Sequence, residues 1–352
     1  MMNNTTTSDD LLDIINNPIK WSEFSKKTIL ISGANGFLPA YIVETLLLLL
    51  KKDIIKGTKI LALVRNIDKA KARFENYLEN DNLQFIIQDV SDPIDIECNV
   101  DFIIHAASQA SPKYYGTDPV GTLSANTLGT INLLKFAQKN SIESFLYFSS
   151  SEVYGILDEA KIPTKESDYG YIDPTNVRSC YAESKRMGET ICVSWLKQYN
   201  IPVKIVRPFH TYGPGMALDD GRVYADFIAD IVNNRDIVMQ SDGSAMRSFC
   251  YLADATIAFF LVLLNGINGE AYNVGNSDCE ISILNLANKL VSLFPEKGVK
   301  VVTKNTQNIN YLKSAVSRNC PDMTKINNLG WYPKTKINEG FYKTINSYEK
   351  IL

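Results

Sequence analysis

The sequence predicts an α/β fold, a doubly wound parallel sheet with a smaller C-terminal lobe. Three observations carry this expectation. Short apolar runs recur between helical stretches from Lys26 onward, the first run ends in a glycine turn, and the alternation loosens after Arg207. Continuous apolar strands are what a parallel sheet requires, because helices cover both its faces.

The runs come in order as Thr28–Ser32, Lys59–Val64, Leu83–Ile87, Phe102–His105, Phe145–Phe148 and Val203–Val206. Between them, Ala40–Leu50, Thr122–Lys139 and Tyr181–Tyr199 have helical length, and Leu46–Leu50 reads as the sheet-facing side of a core helix. Pro208, Gly213, Pro214, Gly215 and Gly221 then break the chain into loops. Helices are expected again near Val223–Asn233, Ala253–Leu264 and Ile283–Leu293, with some segments returning to the sheet. The division expected is an appendage over 1–25, a nucleotide-binding domain over 26–208 and mainly a substrate lobe over 209–352. Within the appendage a mobile polar start precedes an apolar stretch, Leu11 to Ile15, that serves packing or an oligomer contact.

Composition narrows the function. The 352 residues carry a net charge of -3, which leaves no electrostatic footprint for nucleic acid. Six scattered cysteines without a Cys-x-x-Cys pair, and only two histidines, speak against a metal site and for reduced thiols. The polar, acidic start from Met1 to Asp13 lacks the features of a signal peptide, and Leu46–Leu50 is too short to span a bilayer. A cytoplasmic protein without membrane partners is expected.

The strand Thr28–Ser32 runs into Gly33-Ala34-Asn35-Gly36-Phe37-Leu38-Pro39. A Gly-x-x-Gly turn between strand and helix lets backbone approach a pyrophosphate, with helix N–H groups aimed at its charge. This is a Rossmann-type signal, and Gly33, Asn35, Gly36, Phe37 and Leu38 are the expected contacts. Pro39 replaces a third glycine, which a helix's first turn tolerates. Arg65 follows the second strand where NAD enzymes often carry an acid, so NADP stays open beside NAD. Asp89 and Val90 are placed to meet the adenine, and Ala106, Ala107, Ser108 and Pro208 to border the rest of the cofactor. His105 reads as a packed strand-end residue.

Tyr181 and Lys185 lie four apart at the start of a helix, hence on one face. An ammonium group beside a phenol, with a positive nicotinamide, lowers the phenol's pKa enough for it to act as a base. Ser149-Ser150-Ser151-Glu152 ends the fifth strand about thirty residues earlier, where a hydroxyl can bind the oxygen that the tyrosine deprotonates.

Taken in order, these motifs resemble the extended short-chain dehydrogenases that modify sugar nucleotides: epimerases, 4,6-dehydratases and decarboxylases. The chain most resembles the UDP-glucuronate decarboxylases, through Ser149–Gly155, Arg178-Ser179-Cys180-Tyr181, Ser184-Lys185-Arg186, Asp220–Val223, Arg247–Asp254 and Ser111-Pro112 with Tyr115. The resemblance implies bound NAD and transient oxidation of a UDP-sugar at C4. Tyr181 is then the base, Lys185 its tuning group, Ser150 the oxygen ligand and Glu152, after Ser151, the group near C5. Gln109, Arg178, His210, Arg222, Val223 and Arg247 fall on substrate-binding positions, and a homodimer is implied.

Loss of carbon dioxide from the β-keto acid would give UDP-xylose or the 4-keto-pentose. Ser151 stands where a dehydratase has Asp, and His210 where the family commonly has Asn. A 4-epimerase or 4,6-dehydratase remains the alternative, and a non-enzymatic nicotinamide-sensing module the remote one.

Overall fold

The computed structural model describes residues 5–303 and 316–349; of the polar start, Met1–Asn4 lie outside them. Seven parallel strands form the main sheet: β1 (Thr28–Ser32), β2 (Lys59–Val64), β3 (Leu83–Ile87), β4 (Phe102–His105), β5 (Ser144–Phe148), β6 (Val203–Pro208) and, after three strands of the second lobe, β10 (Ala271–Val274). Their spatial order is β10-β6-β5-β4-β1-β2-β3. The chain winds one way from β1 to β3 and the other from β4 to β6. A crevice therefore opens at the carboxyl ends of β1 and β4, where ligands sit in such sheets.

The strands of the second lobe are β7 (His210–Tyr212), β8 (Ile237–Met239), β9 (Met246–Tyr251), β11 (Glu280–Ser282), β12 (Val301–Thr303) and β13 (Arg318–Asn319). Strand β9 pairs with β7, β11 and β13, while β12 pairs with β8. The helices are α1 (Thr5–Ile15), α2 (Phe37–Lys51), α3 (Ile67–Arg73), α4 (Lys113–Thr117), α5 (Pro119–Lys139), α6 (Cys180–Tyr199), α7 (Val223–Val232), α8 (Leu252–Asn265), α9 (Ile283–Leu293), α10 (Thr324–Asn327) and α11 (Ile337–Glu349). No helix among the described residues is long and apolar enough to cross a membrane.

Helix α2 begins at Phe37, three residues before the expected start. Pro39 occupies its first turn, where a missing N–H removes no intrahelical bond. The leucine run lies within this helix, with Leu46, Leu47 and Leu49 buried.

The mobile start expected of the polar N-terminus is not found over Thr5–Ile15, which is helical and docked. Leu11, Ile14 and Ile15 enter the main core, and Asp10 is fully buried among polar partners. Tyr251 Oη donates to Asp10 Oδ2 at 2.7 Å and Tyr41 Oη to the same oxygen at 3.2 Å. Lys343 Nζ lies 3.9 Å from Oδ1. Helix α1 thus ties α2 of the sheet domain to β9 and α11 of the second lobe.

Candidate active site

The ends of β1 and β4 are braced by a side-chain bridge. The Ser32 hydroxyl lies 2.8 Å from His105 Nδ1 and accepts from Ala107 N at 3.1 Å, and His105 Nε2 is 3.1 Å from Thr130 Oγ1. Burial pushes His105 down to about 3, so it is a neutral strut and has no acid–base task. The brace brings Gly33 against the next strand end. A Cβ at Gly33 would stand 2.7 Å from Ala107 Cα, and its φ of +66° is the left-handed region that favours glycine.

Gly36 stands at the N-cap of α2 and supplies no side-chain cap. The first-turn amides of Phe37 and Leu38 therefore suit an anion. This close-packed cradle fits a dinucleotide pyrophosphate. Gly33, Asn35, Gly36, Phe37 and Leu38 would hold it, with Ala106, Ala107, Ser108 and Pro208 bordering the nicotinamide half. At the other end Arg65 Nη1 sits 3.5 Å from Asp89 Oδ2, beside Val90. A carboxylate there repels a 2′-phosphate and occupies the arginine that would bind one, so the site suits NAD.

The cavity continues from the cradle into the second lobe, about 650 Å³ in all. Every site residue expected from the sequence lines it, including Ser150, Ser151, Glu152, Tyr181 and Lys185, and Gln109, Arg178, His210, Arg222, Val223 and Arg247. Tyr181 and Lys185 open α6, and both are buried. Lys185 Nζ donates to the Phe148 carbonyl at 2.6 Å and stands 5.8 Å from the centre of the Tyr181 ring. Burial pulls Lys185 down to about 7. Burial also raises Tyr181, while the Ser150 hydroxyl and Arg222 draw it back down. Ser150 starts the short 3-10 turn Ser151–Tyr154 by accepting from Glu152 N at 3.1 Å, which fixes Glu152 at the cavity rim.

Five buried polar atoms on residues lining this cavity have no protein partner: Ser108 Oγ, Gln109 Oε1, Arg178 Nη1, His210 Nδ1 and Asn319 Oδ1. Buried polar groups are rarely left unmatched, so the cluster marks where a ligand supplies the missing partners. His210 is wedged between the Tyr224 and Phe249 rings, and burial with Arg247 and Arg222 nearby holds it well below its usual pKa. The useful titration near neutral pH that a histidine could offer here is therefore removed. Arg222 pairs with Asp220 at 2.8 Å, and Arg247 donates to the Val316 carbonyl at 2.8 Å.

Several lining groups were not singled out as site residues. Tyr115 stacks on Tyr181 with ring centres 5.2 Å apart and planes 15° from parallel, and the Arg178 guanidinium lies over the Tyr115 ring, 5.9 Å from its centre. Val316 and Asn319 reach the cavity from the segment at β13. Tyr115 was visible as part of a motif, whereas Val316 and Asn319 carry no local signal.

Comparison with known proteins places this geometry. Residues 29–275 match the model of the NAD dependent epimerase/dehydratase family. UDP-glucuronic acid decarboxylase 5 of Arabidopsis thaliana is 35% identical over 92% of this chain and 90% of its own length. UDP-glucuronic acid decarboxylase 1 of Xenopus tropicalis is 33% identical over 95% of this chain and 75% of its own length. Among solved structures, epimerase Mth375 of Methanothermobacter thermautotrophicus superimposes with a TM-score of 0.80 at 22% identity, over 99% of this chain and 97% of that one. A dTDP-glucose 4,6-dehydratase of Bacillus anthracis, solved with NAD, gives 0.74 at 22% identity, over 92% of this chain and 97% of that one. The matched span, the Gly33–Gly36 cradle and the Tyr181–Lys185 pair agree: the chain is an enzyme of the NAD-dependent epimerase/dehydratase family.

Proposed function

We propose that the protein decarboxylates UDP-glucuronate through transient oxidation at C4, with UDP-xylose or the 4-keto-pentose as product. NAD, when bound, would accept the C4 hydride, supply positive charge beside Tyr181 and return the hydride for a UDP-xylose product. Tyr181 takes the proton of the C4 hydroxyl, Ser150 holds that oxygen, and Lys185 lowers the cost of the phenolate. The resulting ketone is β to the C5 carboxylate, so carbon dioxide leaves as an enolate forms. Glu152, near C5, holds the proton donor that quenches the enolate.

One observation carries the choice of reaction. Of the carboxylates lining the cavity among the described residues, Asp89 is paired with Arg65 and Asp220 with Arg222. Glu152 is left as the one acid for chemistry, preceded by Ser151. Dehydration needs an acid for the departing hydroxyl and a base at C5, two groups, whereas decarboxylation needs no such pair, only the proton donor that Glu152 holds. The names of the curated relatives support the same choice. Gln109, Arg178, His210, Arg222, Val223 and Arg247 are then the substrate contacts, with the partnerless Arg178 Nη1 suited to an anionic oxygen.

The cofactor half is assigned to 26–208 and the sugar-nucleotide half mainly to 209–352, with β10 returning to the sheet. Five of the six cysteines are buried free thiols, which supports a reducing, cytoplasmic setting. Val120, Leu123 and Leu128 on α5, with Met187 and Val193 on α6, are exposed apolar residues, and this supports a homodimer through those helices. Light scattering of the purified protein tests that assembly.

The deciding experiment incubates NAD-loaded protein with UDP-glucuronate, UDP-glucose, UDP-N-acetylglucosamine and dTDP-, GDP- and CDP-sugars, and records product masses. Loss of carbon dioxide from UDP-glucuronate alone is expected. Turnover of only a non-uronate sugar, with loss of water or unchanged mass, would overturn the proposal.

A further inference from the structure

Behind Tyr181 and Lys185 lies an ion pair that the chemistry above leaves without a task. Glu189 follows Lys185 by one turn of α6, and Arg207 precedes Pro208 at the end of β6. Arg207 is 1% exposed. Its Nη2 donates to Glu189 Oε2 at 2.6 Å and its Nε to Oε1 at 2.8 Å, a two-pronged contact. Arg207 Nη1 also donates to Tyr154 Oη at 3.0 Å and to the Glu166 carbonyl at 2.8 Å. Ser149, the residue before Ser150, donates its hydroxyl to Glu189 Oε1 at 2.5 Å.

One buried pair therefore touches the end of β5, the turn that bears Glu152, the end of β6 and the helix that bears Tyr181. Burying two charges costs desolvation energy that their attraction often fails to recover, and apolar replacements are frequently as stable. Stability alone is thus a weak reason for the pair.

We propose that Glu189 and Arg207 are positioning residues: through Ser149 the pair fixes Ser150 against Tyr181, and through its balanced charge it sets the field on Lys185. The inference rests on the reading of Tyr181 as the base. The groups facing Lys185 are Tyr181, Glu189 and Cys192 on α6, Tyr147 on β5 and His105 on β4. Burial keeps Tyr147, Cys192 and His105 neutral. Glu189 is consequently the charged neighbour, and Arg207 is its counterweight. Removing the carboxylate alone leaves a guanidinium, so Lys185 and Tyr181 lose their protons at lower pH. Removing the guanidinium alone has the opposite sign.

The test follows reduced nicotinamide during the first hydride transfer from UDP-glucuronate, in NAD-loaded protein from about pH 5.5 to 9. Ser149→Ala is expected to slow that step about tenfold with half-saturation unchanged, as a small misplacement of Ser150 does. Glu189→Gln should move the pH profile down by about one unit and Arg207→Met should move it up by a similar amount. A Ser149→Ala protein at the wild-type rate, or folded charge variants whose profiles stay put or move together, would overturn the proposal. If the charge variants do not fold, Glu189→Leu/Arg207→Met keeps the packing and removes both charges. It should lose rate with the profile in place, and a wild-type rate would overturn the proposal. Wild-type protein that forms no reduced nicotinamide with any sugar nucleotide removes the C4-oxidation reading, and this inference with it.

Discussion

Asp10→Asn tests whether the N-terminal helix is held by a proton-sensitive contact. Asp10 is fully enclosed between Tyr251, Tyr41 and the more distant Lys343, and burial raises its pKa from 3.8 to about 7. The folded state therefore holds this proton more tightly than the unfolded chain. The stability it contributes is complete below about pH 4 and is lost as pH rises toward 7. Roughly three pKa units at 1.36 kcal/mol each set an upper bound of about 4 kcal/mol. Asparagine has nearly the same shape, accepts from the tyrosines through its carbonyl oxygen and never ionises. Allowing about 2 kcal/mol for the lost lysine attraction and imperfect hydrogen bonds, the variant should be about 2 kcal/mol more stable at pH 8. At pH 4.5 it should have no advantage. Urea unfolding of both proteins at the two pH values measures the difference and cancels Glu44, which burial also raises to about 7. Amide exchange within Thr5–Ile15 reads the same contact if α1 undocks alone. A stability difference that is the same at both pH values would refute the reasoning.

Three further outcomes follow from the cavity. Gly33→Ala forces a left-handed alanine against Ala107, so NAD binding measured by calorimetry should fall at least a hundredfold. Asp89→Ala releases Arg65, and the ratio of NADP to NAD affinity should rise about tenfold; an unchanged ratio would show that the ion pair does not set the preference. His105 and His210 are the only histidines and both are held neutral, so nitrogen NMR of labelled imidazoles should show no protonated ring at pH 5.5 in the ligand-free protein.

Motifs whose parts are close in sequence were legible. Gly33 and Gly36 flank one turn, Tyr181 and Lys185 share one helical face, and Ser150–Glu152 end one strand, so a local pattern is sufficient to place each. The apolar runs likewise gave the strands to within a residue or two. Asp10 shows what such patterns miss: its partner Tyr251 lies 241 residues away. A lone acid in a polar terminus has no periodicity to announce that it will be buried. Val316 and Asn319 enter the site just before and within a two-residue strand, too short for any pattern, because β9 offers an edge to pair with.

Arg207 shows how the two kinds of information meet. From the sequence it is a strand-end arginine before a proline, where exposure is the ordinary expectation. Yet β6 lies between β10 and β5, so this strand end is covered on both sides and its guanidinium must find partners inside. Glu189 supplies them only because α6 crosses that end of the sheet, and α6 is placed there by the same packing that points Tyr181 and Lys185 into the cavity. The motif residues are therefore read from sequence, while the groups that hold them in register are dictated by strand order. Changes to the second set should alter rate and pH response before they alter which ligand binds.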